Sequence, residues 1–452
     1  MSLASNTELL QTSRDAAKNT SAYKRISLLF DEGTFNEIDA FAKSGDKPAE
    51  AIVGFGTIEG CPAYVFAQNS DVDGGAMSKA QASKIKKVYD LAVKTGAPVI
   101  GIYDSIGGRL NEGGDMVAAY GEILLHSNNL SGVVPQIALV LGPCIGTSAM
   151  IAAGSDIVVM SKKAELTIET GGADGSADEA AKIGVCHIVT ETEDEAIAKV
   201  RALVTSLPAN NLTGAPVVDV LGMSSAAPLA AGASAKDVIS AVADDDTFVE
   251  LGAQFGTAVV TGIAQVAGST AGLVAYEGEI DADACAKAAR FVRFCDAFAI
   301  PVVSFVNAAG FTSLREASKL SSSYSEATTA KVTVVTGEAY GPVYMAVAGR
   351  GAAADVTMAW ASAAVSPISP ATGAMFLWND RLAGSSNPIE DRKKLIAEYK
   401  EKEACPFKAA AEGYVEDVIL PAETRAKVVA NLEMLSGKRV SRLPKKHANI
   451  QM

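Results

Sequence analysis

Apolar residues in this chain come in short runs closed by glycine and proline, with polar segments between them. Residues 137–141, IALVL, are one such run, the pattern of a buried strand. Gly142-Pro143 is expected to end it, because proline lacks an N–H and glycine relaxes the backbone. Gly146-Thr147-Ser148 then opens a helix of small residues. Such a strand–turn–helix unit leaves backbone N–H groups unsatisfied at the turn. With the helix dipole they suit an anion or a developing oxyanion. The same pattern also serves as a packing turn, and the motif alone leaves both readings open.

Other segments follow the same logic. Residues 51–67 alternate about a glycine turn and predict a hairpin. Residues 79–95 place Ile85, Val88, Leu91 and Ala92 on one helical stripe. Strands are expected at 99–103 and 157–160, a helix at 120–130, and strand then helix over 188–207. Residues 8–24 read as a leading helix or arm, 169–179 as an exposed loop, and 391–403 and 422–435 as helices.

The pattern occurs twice. Gly142 aligns with Gly337, 195 residues on, which sets Gly146 on Gly341 and Thr147 on Pro342. Pro98 aligns with Pro301, 203 residues on, which sets Gly107 on Gly310. Thr34 in DEGTFNEIDAF aligns with Thr247 in DDDTFVELGAQF, 213 residues on. Three pairs in one order mean an internal duplication of about half the chain rather than a short repeat. Two adjacent turns per half can supply the paired N–H donors of an oxyanion hole. The segment 208–234, with Pro208, Pro216 and Pro228, reads as the linker.

Composition narrows the function. The chain has 452 residues, enough for two cores. A net charge of −13 without a basic cluster argues against a nucleic-acid partner. The six cysteines form no CxxC pair, so a zinc site is not expected; they read as buried thiols of a reducing compartment. No metal site is expected. The polar N-terminus and the lack of a 20-residue apolar run predict a cytoplasmic protein. Only His126, His187 and His447 are present, and none falls in the paired turns, so a Ser–His–Asp triad is not expected.

Longer motifs carry a resemblance from residue 31 to 452. They are GTIEGCPAYVFAQNSDVDGGAMS, GAPVIGIYDSIGGRLNEGG, GVVPQIALVLGPC and CPFKAAAEGYVEDVILPAETRAKVVANLEML with KKHANI. The chain resembles the carboxyltransferase component of biotin-dependent acyl-CoA carboxylases, the propionyl-CoA carboxylase β type. It is similar also to the α subunits of sodium-pumping acyl-CoA decarboxylases. The resemblance implies an α/β fold of two duplicated crotonase-like (ClpP/crotonase) ββα-superhelix domains, residues 1–225 on the acyl-CoA side and 226–452 on the biotin side. It implies an enzyme that moves a carboxyl group between biotin and the α-carbon of a short acyl-CoA. The alternatives are a biotin-independent hydratase or decarboxylase of the same fold, or a non-catalytic CoA-ester-binding subunit.

The implied catalytic positions are Gly107, Gly108, Gly146 and Thr147 in the first half and Gly310, Phe311, Gly341 and Val343 in the second. The implied cofactor-binding positions are Gly74, Gly75 and Ala76, and Tyr340, Pro342, Tyr344 and Met345. Freed biotin can itself take the substrate proton, so no protein base is required. The chain lacks an Ala-Met-Lys-Met biotinyl motif and an ATP loop. The expected partners are therefore a separate biotin carrier protein, a biotin carboxylase or a membrane decarboxylase subunit to which the chain would be peripheral, and further copies in a hexamer.

Three departures from the family pattern stand out. Gly146-Thr147 replaces Gly-Gly, which keeps a backbone N–H. Gly341-Pro342-Val343-Tyr344-Met345 replaces Gly-Gly-Ala-Tyr-Asp, and Pro342 has no N–H, so a donor is expected to be missing on the biotin side. Gly310-Phe311-Thr312-Ser313-Leu314 replaces Gly-Phe-Leu-Pro-Gly.

Overall fold

The computed structural model describes residues 3–169, 174–218, 224–226 and 228–450. The chain divides into two compact units, Met1–Gly214 and Ala215–Met452. The division falls inside the expected linker. Residues 219–223 and 227, beside the expected boundary at 225–226, lie outside the described residues.

Each unit is built on one eight-stranded sheet of the same order. In the first, the antiparallel hairpin Ala51–Ile58 and Cys61–Gln68 is followed by parallel strands. These are β1 (Val99–Ser105), β2 (Gln136–Ile145), β3 (Ile157–Ser161) and Ile188–Thr190. In the second, Val259–Val266 and Ser269–Ile280 form the hairpin. Then β4 (Val302–Phe311), β5 (Lys331–Tyr340), Val356–Trp360 and Asp417–Ile419 run parallel. The duplication read from three sequence pairs is thus a duplication of sheet topology.

The helices form where the apolar stripe is. Helix α1, Lys79–Thr95, starts at Ser78, whose hydroxyl accepts the Gln81 N–H, and stops at left-handed Gly96. It buries Ile85, Val88, Tyr89 and Ala92, while Leu91 is half-buried. Helix α2 spans Gly114–Leu130, a turn and a half longer at its start than the periodicity suggested. The expected N-terminal arm is two helices, Leu3–Lys18 and Ser21–Leu29.

Two expectations need correction. Strand β2 does not end at Gly142-Pro143: it continues to Ile145, and Pro143 lies opposite Glu165. The reason is a register shift. Tyr103 faces Val140, yet Ser105 faces Cys144, so the ladder is already interrupted where proline lacks its N–H. The second unit repeats the shift, with Val306 facing Val335 and Ala308 facing Ala339. Second, the stretch 169–179 is not loop throughout. Residues 170–173 lie outside the described residues, but Ser176 caps a helix, Ala177–Lys182.

One further device is duplicated. Asp31 accepts hydrogen bonds from the N–H groups of Glu59 (2.9 Å) and Gly60 (3.0 Å), the left-handed turn of its hairpin, and from Arg201 (3.2 Å). Asp244 does the same with Ala267 (3.0 Å), Gly268 (2.8 Å) and Arg425 (2.5 Å). Each arginine also donates to a carbonyl two residues before its aspartate, Leu29 or Val242.

Candidate functional site

In the first unit two turns converge at the carboxyl ends of β1 and β2. Gly107-Gly108 follows β1, and Gly146-Thr147 joins β2 to helix α3, Thr147–Ala153. All four residues line one cavity of about 440 Å³. Its other walls are apolar: Leu110, Met116, Val117, Leu124 and Ile145, with Tyr120 and Gly121. Strand ends of a parallel sheet are where such sites are expected.

The glycines are there for close approach and for backbone sign. Gly146 sits at φ +69°, which side chains rarely adopt. A Cβ on Gly142 would collide with the Asp104 carboxylate, and one on Gly337 with the equivalent Asn307 amide. Asp104 is itself held by Arg25 (2.6 Å) and Ser70 (2.8 Å), which fixes the end of β1.

The hydrogen bonds identify the free donors. The Gly146 N–H is taken by Thr167 O (2.9 Å), and the Gly107 N–H by Ser105 Oγ (3.2 Å). The N–H groups of Gly108 and Thr147 meet no acceptor among the described residues. Thr147 is the first residue of its helix, where N–H groups have no partner in the helix. Sequence reasoning named both members of each pair; the bonding selects the second of each.

Among the described residues no aspartate, glutamate, lysine or histidine lines this cavity. Burial pushes the Tyr120 hydroxyl up, and its neighbour Ser148 lies 3.2 Å away. Burial pushes the Cys144 thiol up as well, so neither ionises near neutral pH. The histidines lie elsewhere: His187 Nδ1 accepts the Val158 N–H at 2.9 Å, and His126 faces Asp90 at 3.5 Å. All six cysteines are free; four are buried, but Cys61 and Cys405 are only half-buried.

Gly74, Gly75 and Ala76 do not line the cavity. Both glycines are at positive φ; a Cβ on Gly75 would collide with Asp104 O and one on Gly74 would press on Ile106.

In the second unit, Gly341 (φ +41°) and Pro342 start the equivalent turn after β5. Thr312 donates its N–H to Ile280 O (3.0 Å) just as Arg109 does to Met77 O (2.9 Å), so Phe311 is the counterpart of Gly108. The cavity beside Gly341, about 580 Å³, is lined by Tyr344, Met345, Val365, Pro367 and Tyr399, with a Glu403–Lys408 ion pair. Tyr344 donates to Tyr414 O at 2.6 Å. Gly310, Phe311, Tyr340, Pro342 and Val343 are not among its lining residues, and Val343 is wholly buried. The structure therefore gathers Gly107, Gly108, Gly146 and Thr147 into one cavity, whereas of the second-half set only Gly341, Tyr344 and Met345 share one. Among the described residues no cluster fit to hold a metal ion occurs, and no helix is long and apolar enough to cross a membrane.

Comparison with known proteins agrees with this architecture. Residues 13–450 match the family model described as carboxyl transferase domain. The chain is 36% identical to methylmalonyl-CoA decarboxylase subunit alpha of Veillonella parvula, over 95% of this chain and 93% of that protein. It is 35% identical to the propionyl-CoA carboxylase carboxyltransferase subunit of Haloferax mediterranei, over 98% and 95%. A crystal structure of transcarboxylase 12S, solved as a hexamer with methylmalonyl-coenzyme A and methylmalonic acid bound, superposes with a TM-score of 0.92. The two share 32% identity over 100% of this chain and 99% of the other. The chain belongs to the carboxyl transferase family, the class of biotin-dependent acyl-CoA carboxyltransferases that its motifs resemble.

Proposed function

We propose that the first-unit cavity binds the thioester end of a short acyl-CoA of the propionyl/methylmalonyl kind, and that the Gly108 and Thr147 N–H groups hold its enolate oxygen. The observation that carries this is the pair of N–H groups that meet no acceptor among the described residues, in one cavity with apolar walls. The carbonyl oxygen gains negative charge only as the α-carbon loses its proton or carboxyl group. Fixed donors in an apolar site favour that state over the ground state. Among the described residues the cavity has no carboxylate, lysine or histidine, so the chain's part is to orient the thioester, exclude water and stabilise charge.

The second-unit cavity fits a bicyclic urea in size and lining, with apolar walls from Met345, Val365 and Pro367 and a hydroxyl from Tyr344. Biotin on a separate carrier chain, when bound, supplies or receives the carboxyl group. Gly341, Tyr344 and Met345 would hold its ring, and a biotin carboxylase or a membrane decarboxylase subunit would complete the system. Copies of this chain would assemble as a hexamer, as the transcarboxylase 12S relative does.

The direct test is Thr147→Pro. The chain already carries proline at the equivalent position, Pro342, after a glycine that is also at positive φ, so such a turn accepts it. Carboxyl exchange between methylmalonyl-CoA and biotin should fall by about 100- to 1,000-fold with an unchanged circular dichroism spectrum. Exchange at the wild-type rate would refute the assignment.

A further inference from the structure

Arg109 follows Gly107-Gly108 directly, and its surroundings are built around it. The turn is paired to residues 74–77 by three backbone bonds. The Ile106 N–H donates to Gly74 O (3.1 Å), the Met77 N–H to Gly107 O (2.8 Å) and the Arg109 N–H to Met77 O (2.9 Å). Because Gly107 and Arg109 both face this pairing, the peptide N–H between them, that of Gly108, faces the other way. The Arg109 guanidinium then ties the two sides together. It donates to Asp73 on the far side and to Ser44, lies 3.1 Å from Glu50, and reaches Glu112 on its own side at 3.7 Å.

Glu50 is completely buried, and its other oxygen accepts from Ser78 at 2.5 Å. A buried carboxylate needs a cation beside it. A guanidinium presents donors in a planar fork that can serve several oxygens at once; an ammonium cannot match that geometry. The second unit supplies the control. Thr312 stands in the equivalent place and makes the equivalent backbone bond to Ile280, with no guanidinium. The pairing thus forms without the arginine, and the arginine is an addition confined to the half whose donors share a cavity.

We propose that Arg109 is a positioning residue, whose hydrogen bonds to Asp73 and Ser44 and ion pair with Glu50 hold the Gly108 N–H in the direction that the thioester oxygen requires. This rests on the reading of Gly108 and Thr147 as oxyanion donors. Donor placement within about 0.5 Å separates an effective hole from an ineffective one, so a loosened turn should cost turnover before it costs binding.

The experiment uses the full-length protein as wild type, Arg109→Lys, and the double variant Arg109→Met/Glu50→Gln, which removes the buried charge along with its partner. Propionyl-CoA labelled with carbon-13 at its carbonyl is the probe, and infrared difference spectra read the thioester carbonyl band on binding. The wild type should move the band to lower frequency. Both variants should bind the probe within about threefold of wild type, lose most of the band shift, and lose about 10- to 100-fold in kcat with KM little changed. A band shift kept at the wild-type value in folded variants, with any loss confined to KM or Tm, overturns the role of Arg109. A wild-type protein that binds the probe without moving the band overturns the oxyanion reading itself, and the inference with it.

Discussion

At the scale of single residues, the two halves differ most where their sequences are aligned best. Thr147 opens its helix with an N–H that meets no acceptor among the described residues; Pro342, its counterpart, has no N–H at all. If the second half holds a urea oxygen as the first holds an enolate, it does so with one donor fewer on that side. Pro342→Ala returns an N–H without disturbing the helix start. Carboxyl exchange with free biotin is expected to rise about tenfold, the scale of one recovered hydrogen bond. Unchanged exchange at unchanged stability would show that Pro342 only stiffens the turn. The glycine pairs were legible in the sequence because close approach and positive φ leave a mark that no other residue leaves. Which member of each pair donates was not legible. That depends on Thr167 O and Ser105 Oγ taking the other N–H. Arg109 was missed for a related reason: Asp73 and Ser44 lie 36 and 65 residues away in the chain, so nothing local announces the cluster.

At the scale of elements, the hairpin clamps set how each sheet is entered. Burial pushes the Asp244 carboxyl up. The Arg425 hydrogen bond and the Gly268 and Ala267 N–H groups outweigh it and hold the group below the usual carboxylate range. A carboxylate with a lowered folded-state pKa stabilises the fold above its unfolded value, near 3.8, and loses that contribution as pH falls through the folded value. Asp244→Asn should therefore destabilise the protein in urea by about 1.5–3 kcal/mol at pH 7. The gap to wild type should close as the pH is lowered below about 4. A gap independent of pH would mean that the carboxylate's charge does not matter. The clamp was half visible in the sequence, since Asp31 and Asp244 fall in the third aligned pair. Their arginines did not align, because Arg201 and Arg425 are 224 residues apart rather than 213. The strand through Pro143 was misjudged because proline ends a regular ladder, and the ladder here is already broken by the register shift.

At the scale of the whole molecule, the first-unit cavity opens among exposed apolar side chains. Leu110 is 85% exposed and Val117 64%, and both line it. Apolar groups at a cavity mouth are costly in water and mark a surface that a ligand or another chain covers. With the hexameric relative in view, light scattering should find six copies of the 46.4 kDa chain, and Leu110→Glu with Val117→Glu should shift the population to smaller species. A monomer for the wild type at working concentration would contradict this. The duplication itself was the most legible large-scale feature, because two halves with one sheet order kept glycine, proline and aspartate at matching places.

The clamps also say something about ancestry and cutting. In each unit the arginine sits on the last long helix of that half or of the chain, Glu193–Ser206 or Thr424–Leu435. The carbonyl and carboxylate it grips lie ahead of that unit's main sheet, before Asn36–Ile38 or Val249–Glu250. Each half is thus a ring whose beginning and end are pinned to one another by a charged clasp. A ring can be opened elsewhere and still be the same ring. Such a unit could once have lived as a separate polypeptide, been copied and joined tail to head, and kept its own closure after the fusion. The join between two clasped rings is then the place where the chain is cut at least cost.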